Sequence, residues 1–350
     1  MLELRSPHDA FERIEAYLRE RGFFAPGGED LQADLYLGYG LSAALRRHTS
    51  PLPPEPARLP LAAVAVRDTT GSDPVMSDPA TVSIGEWERT WSEAEYAHTV
   101  ESVRDAIGRG DVYQVNLVQH LSADFAGDPA TLAARLSVFR PRTLAGEDWA
   151  IVSSSPELFL ARRGRRVWTS PIKGTRPLGE HVEGEKDSAE HVMIVDLERN
   201  DLSRVCEAGS VRWPELMVER ELAGVTHLVS TVEGTLREEV GLAELLAATF
   251  PGGSVTGAPK IAAVDLIAEL EPVGRGASMG ALGTVRGNGD LELTLTIRTF
   301  AIGEGTIHLW VGGGIVWDSE PEAEIEESWT KARPLLAAIG ARAPVDAVVR

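Results

Sequence analysis

LELTLTIRTFAIGEGTIHLWVGGGIVWDS (Leu291–Ser319) decides the fold class, because two strand patterns follow one another in it. Leu291, Leu293, Leu295 and Ile297 alternate with Glu292, Thr294, Thr296 and Arg298, the period of a long strand with one apolar and one polar face. A second strand is expected over Thr306–Val316, and it contains Gly312, Gly313 and Gly314. Glycine weakens a strand and lets something approach its backbone; a bulge is the plain alternative. Further out, Asp111–His120 alternates Tyr113, Val115 and Leu117 against Gln114, Asn116 and Val118, again as a strand with one core face. Phe159–Ala161 and Val167–Thr169 flank Arg163 and Gly164 as a hairpin. Ala97, Val100, Val103 and Ile107 recur at helical spacing before Gly108 and Gly110, and Asp187–Leu197 reads as another helix. A last helix is expected to open at Ser319 with Glu322 as a capping box, and to be disturbed at Pro334. Strands and helices mix without βαβ alternation, so the class is α+β with antiparallel sheets.

Residues 1–90 read as a reduced N-terminal α+β portion ending in a linker, since Pro51–Pro60 is proline-rich and Asp68–Pro79 is rich in turn formers. The 350 residues are 43% hydrophobic and carry a net charge of −19, which argues against nucleic acid as a partner. No stretch approaches the roughly 20 apolar residues of a membrane span, and the first 25 residues lack a signal-peptide core, so a cytoplasmic protein is expected. Cys206 is the only cysteine and reads as a small buried hydrophobe.

Two helices carry carboxylates three residues apart: Asp187 with Glu190, and Glu324 with Glu327, with Lys331 one turn further on. Hard oxygen ligands from two facing helices suit Mg²⁺, although from spacing alone two solvated acidic faces are the simpler account. Pro251–Lys260 (PGGSVTGAPK) places glycines ahead of Pro259 at a helix start, where backbone N–H groups can meet an anion; a plain helix cap is the alternative. It fails the phosphate-loop pattern, because Ala258 and Pro259 precede Lys260 and no Ser or Thr follows. A nucleotide-binding switch is therefore a weak rival. Arg298 could grip a carboxylate bidentately. Lys173 in Pro-Ile-Lys-Gly-Thr and Glu157 after Ser-Ser-Ser-Pro are unremarked in isolation.

In order, GDVYQVNL, SSPELFL, PIKGT, AEHVMIVDLERNDLSRV, THLVST, FPGGSVTGAPK, TIRT, GGGIVWDS and AEIEESWTK resemble the chorismate-utilising family of anthranilate, aminodeoxychorismate, isochorismate and salicylate synthases, from about Tyr96 to Ile339. The resemblance implies a large sandwich of antiparallel sheets flanked by helices, with a chorismate-binding catalytic domain over 91–340 and a tail over 341–350. It implies Mg²⁺ bound by Glu190 and Glu327 with Asp187 and Glu324 supporting metal-bound water. By the same resemblance Arg298, Lys331, Thr256 and the backbone at Gly257, Ala258 and Gly313 hold the carboxylates of chorismate. Glu157 matches the general acid at the departing 4-hydroxyl, and His227 a histidine beside the substrate. Gln114 stands where the water-adding members have a lysine base, which favours amination. Lys173, where anthranilate synthases have alanine, points to the aminodeoxychorismate branch of component I, with Lys173 as nucleophile and ammonia from a separate glutamine amidotransferase. Cys206 has no nucleophile-elbow glycines with which to hydrolyse glutamine itself. Anthranilate synthase component I and a non-catalytic interaction subunit are the rival readings. The portion before Tyr96 is short for the family and lacks a Leu-Leu-Glu-Ser-type segment, so no tryptophan pocket is expected.

Overall fold

The computed structural model describes residues 1–68, 82–177, 185–222, 225–342 and 344. Two antiparallel sheets form the frame. The first, of ten strands, runs in space Leu2–Leu4, Ala62–Asp68, Leu31–Leu37, Ala281–Arg286, Leu291–Leu295, Leu158–Arg163, Arg166–Ser170, Val225–Thr235 and Ile172–Pro177, with Arg212–Leu222 also paired to Val225–Thr235. The second, of eight, runs Gly257–Ala258, Gln114–Ala126, Thr306–Ile315, Thr299–Gly303, Trp149–Ser153 and Arg142–Ala145, with Ser83–Ile84 and Glu88–Arg89 also paired to Gln114–Ala126. The N-terminal strands belong to the first sheet: Leu35 pairs with Val64 on one side and with Gly283 on the other.

The larger core gathers Leu35, Leu37, Val115, Leu117, Leu160 and Leu293. A second core lies between the eight-stranded sheet and the last helix, where Leu121, Phe300 and Leu309 meet Trp329, Leu335 and Leu336. The helix Glu93–Arg109 is fixed at both ends, by a reciprocal Ser92–Glu95 capping box and by Gly110 in the left-handed region at φ 83°. Among the described residues no helix is long and apolar enough to cross a membrane.

Several expectations are corrected. The strand read from Asp111 begins at Gln114 and runs to Ala126. Tyr113, expected on the core face, is 66% exposed, while Gln114 and Asn116 are buried. Alternation failed there because both faces of the strand's first half are covered. The long strand from Leu291 stops at Leu295, and Arg298 sits outside it at φ 51°, where the chain leaves the first sheet to enter the second as Thr299–Gly303. The last helix spans Pro321–Ala338 with Glu320 as its N-cap and no side-chain cap. The Ser319 hydroxyl instead accepts from the amide of Val316. As expected, that helix continues past Pro334, which lies on the exposed side, where water can replace the missing hydrogen bond. The turn-rich stretch after Asp68 and most of the 341–350 tail lie outside the described residues.

Candidate functional site

The site forms where the chain changes sheets twice, side by side. Trp149–Ser153 of the second sheet leads through Glu157 into Leu158–Arg163 of the first, and Leu291–Leu295 of the first leads through Arg298 into Thr299–Gly303 of the second. The crossings are stitched together: Ser154 N donates to Arg298 O at 3.1 Å, and Leu295 N to Glu157 O at 3.0 Å. Two residues 141 apart in sequence thereby become neighbours, and the Glu157 carboxylate acts on the charge of Arg298. Among the described residues the Arg298 guanidinium makes no side-chain hydrogen bond or ion pair, so its fork is open to an anion.

Glu157 is buried. Burial pushes its carboxyl above the usual range, opposed by the Lys173 ammonium, the Ser254 hydroxyl and the amide of Ile172, which donates to Oε1 at 3.2 Å. An acid of this kind holds its proton further into neutral pH than a solvated one. Lys173 Nζ lies 3.1 Å from Glu190 Oε1 and 3.5 Å from the carbonyl of Ser254. Burial alone would lower its pKa, but Glu190 and Glu157 more than reverse that and hold it as an ammonium. Glu190 Oε1 also accepts from Gln114 Nε2 at 2.7 Å.

The glycine strand brings the second acidic helix to the same place. A Cβ on Gly314 would stand 2.5 Å from Glu190 Oε1 and would collide with the Gln114 amide. On Gly313 it would meet Glu327 Oε1 at 3.2 Å, Lys331 Nζ at 3.4 Å and Glu324 Oε2 at 3.5 Å. The peptide joining Gly313 to Gly314 therefore separates Glu190 from Glu324 and Glu327. Lys331 Nζ bonds both Glu327 Oε1, at 2.8 Å, and the carbonyl of Gly312, at 2.7 Å. Among the described residues no three His, Cys, Asp or Glu side chains gather into a metal-ligand group. Mg²⁺ needs only one or two carboxylates, so Glu324 and Glu327, whose oxygens face one point beside Gly313, are a donor pair that fits it. Asp187 lies on the helix Glu185–Ser203, but its side chain is outside the described residues.

The loop before Lys260 lies against the strand Gln114–Ala126. Gly257 and Ala258 pair with Val115 and Gln114, and the carbonyls of Thr256 and Ala258 accept from Asn116 and Tyr113. The buried Thr256 hydroxyl donates to Gly252 O at 2.9 Å, within its own loop. Pro259 is the N-cap of the helix Lys260–Leu270 rather than its first residue. Lys260 turns away to Asp201, 2.5 Å from Oδ2, which removes the lysine a nucleotide site would use. His227 is buried with Nδ1 3.0 Å from Gly174 O. Burial holds its imidazole below the usual value, opposed by that bond and reinforced by Arg298.

Sequence reading missed three groups. The Ser254 hydroxyl supports Glu157. Arg275, fully buried, is held by Glu271 at 2.7 Å and donates to Val255 O and Asn116 O, clamping the glycine loop to the strand Gln114–Ala126. Glu198 follows Glu190 by two helical turns on the same face of Glu185–Ser203, a spacing that could have revealed it.

Comparison with known proteins agrees with this geometry. Residues 35–337 match the chorismate binding enzyme family. Anthranilate synthase component 1 of Thermus thermophilus is 42% identical over 264 residues, covering 71% of this chain and 57% of that protein. Aminodeoxychorismate synthase component 1 of Escherichia coli is 40% identical over 266 residues, covering 72% and 59%. The chain thus spans less than three fifths of the length of these curated relatives. The crystal structure of anthranilate synthase component I from Streptococcus pneumoniae superposes with a TM-score of 0.77 at 26% identity, covering 91% of this chain and 84% of that one.

Proposed function

The chain belongs to the family of chorismate-binding enzymes, and from that premise we propose that it replaces the 4-hydroxyl of chorismate by an amino group, giving 4-amino-4-deoxychorismate for 4-aminobenzoate and folate biosynthesis in the cytoplasm. The nitrogen comes as ammonia from a partner glutamine amidotransferase. The observation that carries this reading is Lys173, which stands among Glu157, Glu190 and Ser254 at the position where the aminodeoxychorismate branch differs from the anthranilate branch.

Arg298 and Lys331 hold the two carboxylates of the dianion, with the backbone at Gly313 beside them. By the family resemblance Glu190 and Glu327 would hold Mg²⁺, with Glu324 and Asp187 supporting metal-bound water. When bound, the ion supplies positive charge at the ring carboxylate of a protein that is otherwise strongly anionic. Glu157 gives its proton to the departing 4-oxygen, which leaves as water. As the C4–O bond breaks, the neutral amine of Lys173 forms a bond to C2. Ammonia then bonds to C4 and expels the lysine, and the proton it sheds returns to the carboxylate. Its carboxylate neighbours hold Lys173 as the ammonium, so it gives one proton to water as the substrate enters and takes one back after ammonia has expelled it. Gln114 has no basic atom with which to activate water, which leaves ammonia as the incoming group.

The second reading, anthranilate formation, has its support in the 42% identity to the Thermus anthranilate synthase component. Mass analysis of the product from chorismate, ammonia and Mg²⁺ separates the two. A 4-amino product that a 4-amino-4-deoxychorismate lyase converts to 4-aminobenzoate is expected; fluorescent anthranilate as the main product would overturn the proposal.

A further inference from the structure

A small polar cavity lies outside the groups assigned above, where the helix Glu185–Ser203 closes on Gly252 and Gly253. Its free volume is about 10 Å³, room for one water-sized particle. The glycines permit the close approach: a Cβ on Gly253 would meet Leu197 Cδ2 at 2.9 Å and Glu198 Cγ at 3.5 Å. Glu198 and Asp201, three apart on one face of that helix, both line the cavity and are only 7% and 6% exposed.

The side chains around this space present acceptors. Thr169 Oγ1 donates to Glu198 Oε2 at 3.2 Å, and Thr249 Oγ1 donates to the carbonyl of Leu245 at 2.8 Å. Both lining hydroxyls have thus committed their protons and keep lone pairs. Among the described residues Glu198 Oε1 accepts no hydrogen bond. Asp201 takes Lys260 Nζ on Oδ2, at 2.5 Å, and the same ammonium donates to Thr249 O at 3.1 Å. One paired cation therefore stands against two buried carboxyls, and a buried carboxylate without a partner is costly.

We propose that the cavity is a binding site for one ammonium ion, held by Glu198 Oε1 and by the hydroxyl oxygens of Thr169 and Thr249. Ammonium is close to water in size and brings only donors, whereas a water must also accept. Mg²⁺ would keep several waters around it, and the cavity has no room for them. Ser254, the residue after Gly253, takes Lys173 Nζ on its carbonyl at 3.5 Å, so the ion is held one residue along the turn from the Lys173–Glu190 pair. Occupancy is coupled to a proton. Burial, then the charges of Glu157 and Asp201, push the Glu198 carboxyl up to about 8, against the Thr169 hydroxyl and Lys260. Lys173, from the strand Ile172–Pro177, also senses its charge. The empty site carries a proton on Glu198 at neutral pH, and an entering ammonium displaces that proton to solvent, leaving a carboxylate paired with the ion.

The test needs no chorismate. Thermal unfolding is followed near neutral pH in ammonium, sodium or tetramethylammonium chloride at equal ionic strength. The expected result is a saturable rise in Tm of about 2 °C in ammonium over both other salts. It should be lost in Glu198→Gln, which keeps the shape and the hydrogen bond from Thr169. An equal Tm in ammonium and either other salt, or a rise that survives in Glu198→Gln, overturns the inference. Calorimetric titration with ammonium in two buffers of different ionisation heat should show close to one proton released per ion bound, and binding without proton release also overturns it. Crystals of the unmodified protein soaked in thallium(I) acetate, an ion of similar size, should show an anomalous peak beside Glu198 and Thr169. A cavity without that peak overturns the site even where ammonium stabilises the protein. None of these readouts uses turnover, so a chain that fails to aminate chorismate would count against the proposed function and leave this inference standing.

Discussion

The protein carries the same small device twice, a lysine paired with a glutamate beside a side-chain-free glycine, and sets the two copies in different surroundings. Lys173 and Glu190 meet next to Gly314 with side chains only 12% and 13% exposed, and the Gln114 amide shares the same carboxylate oxygen. Lys331 and Glu327 meet next to Gly313 one helical turn apart, 36% and 52% exposed. Water screens the second pair and leaves its partners cheap to separate, whereas the first is held in a medium where an unmatched charge is costly. Under the proposed function the contrast suits different tasks: the screened pair would release its groups to an arriving anion, and the enclosed pair would keep the amine of Lys173 in one place until the site is filled.

The largest test of that division is Lys173→Ala, which is expected to reduce the 4-amino product by at least about 10³-fold, read by mass analysis of the product mixture. Normal 4-amination by this variant would leave the Lys173–Glu190 pair only an electrostatic role. Glu327→Gln, or excess EDTA with the unmodified chain, is expected to lower chorismate turnover by about 10²-fold. Undiminished turnover in either case would remove Mg²⁺ from the more exposed side of the comparison.

Stability sharpens the contrast without reference to turnover. Glu190→Ala leaves the Lys173 ammonium buried and unmatched and should cost about 3 kcal/mol in urea unfolding. Glu327→Ala should cost no more than about 1 kcal/mol. Equal costs would mean that the two environments do not differ as described. A further effect concerns Glu198, whose carboxyl stands at about 8 against an ordinary 4.5. The unfolded chain ionises first, so the folded state binds the extra proton and stability falls as pH rises from about 4.5 towards 8. Between pH 6 and 8 the unmodified protein should therefore lose about 2–4 °C more in Tm than Glu198→Gln, measured by calorimetry. Parallel curves would return Glu198 to an ordinary carboxyl.

Residue type, motif order and periodicity carried much of this by themselves. The α+β class, the antiparallel hairpin around Gly164, the helix stop at Gly110 and the chorismate-binding family are readable from the chain, because each depends on neighbours within a few turns or on long contiguous motifs. The family match begins at residue 35, some sixty residues before the resemblance read from the motifs, since the early strands carry no chemistry to mark them. Arg298 shows the limit of periodicity: its alternation with Ile297 looks like continued strand, yet the sheet to which a strand belongs is set by distant partners, and the chain turns there at φ 51°. Only the folded chain decided that Glu157 and Arg298 share one seam, that Lys173 pairs with Glu190, and that Glu198 is buried against Thr169. Those relations arise from two sheets exchanging strands and from glycines that let helices approach, and burial and charge pairing at such a meeting exist only after residues far apart in sequence are packed together.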